Sequence, residues 1–133
     1  MLANWQRVRS FVHGSAITAL AWSPDGQHLA TCGADAAVRL WQVSDGTALR
    51  TFDGQAPGTL TVTFSPDGRY LVAGGTDRAA RLWRVDSGAL VRAFEGHSSK
   101  VTAVAISPDN QRVATGTADG MLLLWDVSDV AGP

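Results

Sequence analysis

ITALAWSPDGQHLATCGADAAVRLW occupies residues 17–41. The chain writes it again, diverged, as TLTVTFSPDGRYLVAGGTDRAARLW at 59–83 and VTAVAISPDNQRVATGTADGMLLLW at 101–125. The step between copies is 42 residues, kept by the Ser-Pro-Asp triplets, by Asp35, Asp77 and Asp119, and by Trp41, Trp83 and Trp125. Phe52 and Phe94 keep the same step, and Phe11 falls one residue out of phase. Several markers on one long period identify a repeat architecture, in which each unit buries its apolar faces against its neighbours.

Each unit reads as β structure. The runs at 17–22, 59–64 and 101–106 are rich in Val, Ile, Thr and Leu, which suit strands. Each ends in Ser-Pro-Asp-Gly or Ser-Pro-Asp-Asn. Proline presets φ, aspartate bonds the local backbone, and Gly26 or Gly68 accepts positive φ. Asn110 tolerates that conformation at a small cost. Second strands are expected at 28–32, 70–74 and 112–116, third strands at 38–43, 80–85 and 122–127, and fourth strands at 48–52 and 90–94. Helical periodicity is absent, and the glycines and prolines sit mainly between runs. Four short antiparallel strands in about 40 residues match one blade of a β-propeller. Apolar residues on both faces of these strands suit sheets stacked between other sheets.

Composition narrows the functional classes. The 133 residues are 45% hydrophobic and 17% charged, which is globular composition. A formal charge of −1 argues against nucleic-acid binding through bulk positive charge. The apolar runs are too short to span a bilayer as helices, and the N-terminus lacks a secretory pattern, so a cytoplasmic protein without a membrane partner is expected. Cys32 is the one cysteine, which excludes an internal disulfide and any multi-cysteine zinc site. His28 has no Cys or His at metal-ligand spacing, so neither a metal nor a cofactor is expected. Arg39 and Arg81 recur at one strand position and read as stems covering apolar surface, with contact to a partner as the alternative. Trp5 and Trp22 read as packing aromatics.

With Gly96-His97, the Ser-Pro-Asp-Gly turns, the aspartate before each third strand and Trp125-Asp126, the chain resembles the WD-repeat β-propeller family over roughly residues 5–128. Trp41-Gln42 and Trp83-Arg84 keep only the tryptophan of the namesake pair. The resemblance implies an all-β chain of propeller blades, each of four antiparallel strands, three blades per chain. It also implies a buried tetrad of His, Ser or Thr, Asp and Trp in each intact blade. The matching residues are His13, Thr31, Asp35 and Trp41 in unit one, and His97, Thr115, Asp119 and Trp125 in unit three, with Thr117 a rival for the hydroxyl. Unit two keeps Asp77 and Trp83 but has Gln55 and Ala73 in place of His and Thr. Such a broken network predicts that unit two is locally the softest.

His97, Asp119 and Thr115 have the composition of a catalytic triad, but a hydroxyl buried against an indole cannot reach a substrate. No catalytic residue is therefore assigned, and a non-enzymatic interaction scaffold is expected. In the family, partners commonly dock on the loops joining fourth to first and second to third strands. Similar positions are Ala16, Thr18 and Ala34 in unit one, then Gly58, Leu60 and Thr76 in unit two. Unit three offers Lys100, Thr102 and Ala118. Leu60 is the exposed apolar candidate of this set and Lys100 its charge. Without an aromatic, the set predicts a weak protein or peptide site, or none.

Three blades fall short of the four to eight of a closed propeller. RVRSF at 7–11 resembles the fourth strands, so residues 5–133 divide into a strand at 7–11, repeat one at 12–52, repeat two at 53–94 and repeat three at 95–128. One strand, two full blades and then three strands suggest that the first strand of one copy completes the last blade of another. A head-to-tail homodimer would close six blades. The competing expectations are a purely structural self-assembling module and a segment of a longer WD-repeat protein.

Overall fold

A computed structural model describes residues 6–52 and 57–130. Gln55, Trp5 and the ends of the 5–133 span lie outside the described residues. Eleven strands form in chain order: β1 (Ile17–Trp22), β2 (His28–Gly33), β3 (Val38–Gln42), β4 (Ala48–Phe52), β5 (Thr59–Phe64), β6 (Tyr70–Gly75), β7 (Ala80–Arg84), β8 (Leu90–Phe94), β9 (Val101–Ile106), β10 (Arg112–Thr117) and β11 (Leu122–Asp126). They make three antiparallel meanders, two of four strands and one of three, ordered β1-β2-β3-β4, β5-β6-β7-β8 and β9-β10-β11. We refer to them as blades one, two and three.

The turns follow from their residue chemistry. In blade one the Ser23 hydroxyl donates to Asp25 Oδ1 at 2.6 Å, and the same Oδ1 accepts the Gln27 N–H at 2.9 Å. Ser23 Oγ then accepts the His28 N–H at 3.0 Å. Blade two repeats this through Ser65 and Asp67, and blade three through Ser107 and Asp109. Gly26, Gly68 and Asn110 take φ of 73°, 77° and 63°, so the asparagine adopts the glycine conformation. Each hairpin register is thus fixed by a side-chain clasp as well as by its alternating pattern.

The core lies between blades. Ala30, Cys32, Val38 and Leu40 of blade one pack with Val62, Phe64, Leu71 and Trp83 of blade two. Val72, Ala80 and Leu82, on the other side of blade two, pack with Val113, Val104, Ile106 and Trp125 of blade three. The two junctions are built from the same repeat positions. Phe52 tilts against Trp83 at 5.7 Å and Phe94 against Trp125 at 5.1 Å, so the end of each fourth strand caps the next blade's tryptophan.

The strand expected at 7–11 does not form: residues 6–12 carry no strand assignment. A strand is defined by its ladder, and no neighbouring third strand is present among the described residues to supply one. Phe11 nevertheless stacks on Trp41, 5.6 Å away and 15° from parallel. Trp22 is 57% exposed rather than packed, because no blade among the described residues covers that side of blade one.

Candidate functional site

In blade one the side chains that the repeat brings together form a chain of hydrogen bonds. The Trp41 indole N–H donates to Thr31 Oγ1 at 2.9 Å. Thr31 lies 2.8 Å from His13 Nδ1, and His13 Nε2 lies 3.2 Å from Asp35 Oδ1. One assignment of protons satisfies all three contacts: Nε2 carries the imidazole proton for the carboxylate, and Nδ1 accepts from the threonine. Asp35 is half-exposed and also receives Ala37 N–H and Arg39 Nη1. Burial pushes its pKa up, but the Ala37 N–H, His13 and Arg39 outweigh this and hold it below the ordinary value.

Blade three differs. Trp125 Nε1 donates to Thr115 Oγ1 at 3.0 Å, and His97 approaches the same hydroxyl at 2.9 Å through Nε2. Thr115, not Thr117, is therefore the relay. The other ring nitrogen of His97, Nδ1, lies 2.9 Å from the carbonyl of Arg78 in blade two, so it carries the proton. The implied tetrad would join Asp119 to this imidazole, but the two are not hydrogen-bonded. The Asp119 oxygens accept from the hydroxyls of Ser98 and Thr117, which hold its pKa low. The cause is local: these two hydroxyls lie closer to the carboxylate than the ring does, and the Arg78 carbonyl satisfies the nitrogen left over.

Blade two has Ala73 where the relay hydroxyl would stand. Asp77 pairs with Arg81 at 2.8 Å and caps the Ala79 N–H. Arg39 pairs with Asp35 in the same way at 3.4 Å. Neither expectation for these arginines, stems over apolar surface or contact with a partner, includes these ion pairs, which the four-residue spacing from each loop aspartate makes possible. These networks hold loops and indoles in place. The relay hydroxyls of Thr31 and Thr115 are buried against the indoles, so neither is an accessible nucleophile.

The loop positions are mostly open to solvent: Ala16, Thr18, Ala34, Thr76, Lys100, Thr102 and Ala118 are exposed, whereas Gly58 is half-buried. Leu60, expected to be exposed, is half-buried too. Thr18 is committed within the fold, its hydroxyl donating to the Thr59 carbonyl of blade two at 2.5 Å. Cys32 is buried, and burial pushes its thiol pKa up, which makes it a poor nucleophile. Among the described residues no group of three His, Cys, Asp or Glu side chains is placed to hold a metal ion.

A family model described as "WD domain, G-beta repeat" matches residues 5–42, 46–84 and 88–126. A curated relative, "WD repeat domain-containing protein 83" of Danio rerio, is 46% identical over 39 residues, 29% of this chain. The match spans 12% of that relative's length.

Proposed function

The chain belongs to the WD-repeat family, whose members generally act as non-catalytic protein-interaction scaffolds, and we propose that this one is completed head-to-tail by a second copy into a six-bladed propeller. One observation carries the reading: its two open faces are positional duplicates of faces already packed at its internal junctions. Leu20, Trp22, Leu29 and Trp41 sit one repeat before Val62, Phe64, Leu71 and Trp83, which blade one buries. Ala114, Gly116, Leu122 and Leu124 sit one repeat after Val72, Gly74, Ala80 and Leu82, which face blade three. Leu20 and Trp22 are 58% and 57% exposed, and Leu122 and Leu124 are 68% and 62% exposed. Apolar patches of this kind favour association.

Closure would also gather the loop positions around one ring, giving a peptide or protein partner twice as many contacts. Light scattering on the purified chain tests the reading. A dimer of twice 14.0 kDa is expected, and a stable monomer overturns it. The short match to a much longer relative favours a second reading, in which further blades of one longer polypeptide cover the same faces. That reading predicts a monomeric or aggregating species of the isolated chain.

A further inference from the structure

The two internal junctions are built from equivalent residues, so each serves as the other's control. At the outer end of the second junction Tyr70 fills the space. It is 6% exposed, and its hydroxyl donates to the Val130 carbonyl at 2.9 Å. Only about 10 Å³ is left between Tyr70, Leu82, Val113, Val127 and Val130. One repeat earlier, His28 stands for Tyr70 and Gly88 for Val130. There the first junction opens into a cleft of about 380 Å³, walled by Leu40, Leu49 and Val85 and edged by His28, Arg50 and Arg69. A second hollow of about 190 Å³ adjoins it across His28, Gly68 and Val85 and is backed by Phe64. Together they fall in the size range of small-molecule sites, apolar inside with a few polar groups at the rim.

The charges differ as the shapes do. Arg92, at the filled junction, gives Nη2 to Asp129 Oδ2 at 2.7 Å and Nη1 to the Asp126 carbonyl at 3.2 Å. Its counterpart Arg50 has Ser87 where Asp129 would stand. Arg50 Nη2 donates to the Asp86 carbonyl at 2.9 Å, and its Nε is buried without an acceptor. Three carboxylates line the two hollows and are already engaged: Asp25 by the Ser23 hydroxyl, Asp67 by the Ser65 hydroxyl and Arg69, and Asp86 by Arg84. The first junction thus lacks an aryl group and a carboxylate that the second supplies from its own chain.

We propose that the cleft between blades one and two binds a small carboxylate with an aromatic or branched apolar body, its carboxylate on Arg50 and its body against Leu40, Leu49 and Val85. A guanidinium and a carboxylate match in geometry and charge, and the apolar walls exclude water from the pair. The site lies within one copy, so it stands or falls apart from closure by a second copy.

Titration of the full chain with 3-phenylpropionate, followed by heteronuclear NMR, tests the proposal, with 3-phenylpropanamide as a neutral control. The acid should shift resonances of residues 28, 50 and 85 and bind about tenfold more tightly than the amide, as expected for one charge-assisted contact. Ser87→Asp supplies the internal carboxylate and should weaken the acid about tenfold while leaving the amide unchanged. His28→Tyr should exclude both ligands. Absence of saturable shifts in the wild-type chain overturns the proposal. So does equal affinity for acid and amide, or acid binding that survives Ser87→Asp unweakened in a variant whose spectrum shows the native fold.

Discussion

Phe11 covers Trp41 at the place where Phe52 covers Trp83, but as a near-parallel stack rather than a tilted pair, one residue out of register and without a strand. The stack covers an indole that would otherwise face solvent, since Trp41 is only 6% exposed while Trp22, on the same face, is 57% exposed. The segment before blade one thus holds the place of a preceding blade's last strand at this one contact. Phe11→Ala should destabilise the chain by about 1–2 kcal/mol, combining a half-buried ring with an aromatic pair. Urea unfolding followed by tryptophan fluorescence reads it. A change below about 0.3 kcal/mol would mean the stack carries no weight.

The two threonine relays should behave alike despite their different outer partners. Thr31→Val and Thr115→Val each keep the side-chain volume and leave an indole N–H without its partner, buried at Trp41 and part-buried at Trp125, at a cost of about 1–3 kcal/mol. They sit in separate blades with no shared hydrogen-bond partner, so the double variant should cost the sum within about 0.5 kcal/mol. Denaturant midpoints of the two single variants and the double variant test this.

The turn aspartates make stability fall in acid. The Ser23 hydroxyl and the Gln27 N–H hold Asp25 below the ordinary 3.8, and the Ser107 hydroxyl and Gln111 N–H do the same for Asp109. A carboxylate whose folded pKa is depressed adds stability that is present above its unfolded pKa. That stability is lost as pH falls through the folded value. The loss should therefore develop below about pH 4. Ser107→Ala should flatten that limb, and acid titration monitored by circular dichroism will show whether it does.

Much of this architecture is readable in the residues, and the exceptions share a cause. Strand positions follow from the alternation and the Ser-Pro-Asp clasps, which are local, and the expected spans agree with the observed ones to within a residue. Residues 7–11 failed as a strand because pairing needs a partner elsewhere. Asp119 left its imidazole because Ser98 and Thr117 come nearer, a contest of distances that spacing does not reveal. The cleft beside Arg50 is legible only as a difference between two junctions. The ranking of blades also turns over. The broken network in blade two pointed to softness, yet every residue of β6 is buried between two neighbours, whereas β11 is half open. Packing outweighs one missing hydroxyl, so in the monomeric chain, with both end faces uncovered, amide exchange should be slowest in β6 and fastest in β1 and β11. Faster exchange in β6 than in β10 would restore the ranking suggested by the network.

Closure by a second copy makes a prediction that ordinary dimerisation does not. Leu124→Glu disables the trailing face and Leu20→Glu the leading one. Both side chains are exposed in the single chain, so neither substitution should prevent folding. Each variant alone should be monomeric, because every junction in a head-to-tail pair needs one face of each kind. Mixed in equal amounts, the two variants can still form one junction. The intact leading face of the Leu124→Glu chain meets the intact trailing face of the Leu20→Glu chain. Light scattering should then show a weak dimer, held by one junction instead of two. If like faces paired instead, one of the single variants would dimerise as the wild type does, and mixing would restore nothing.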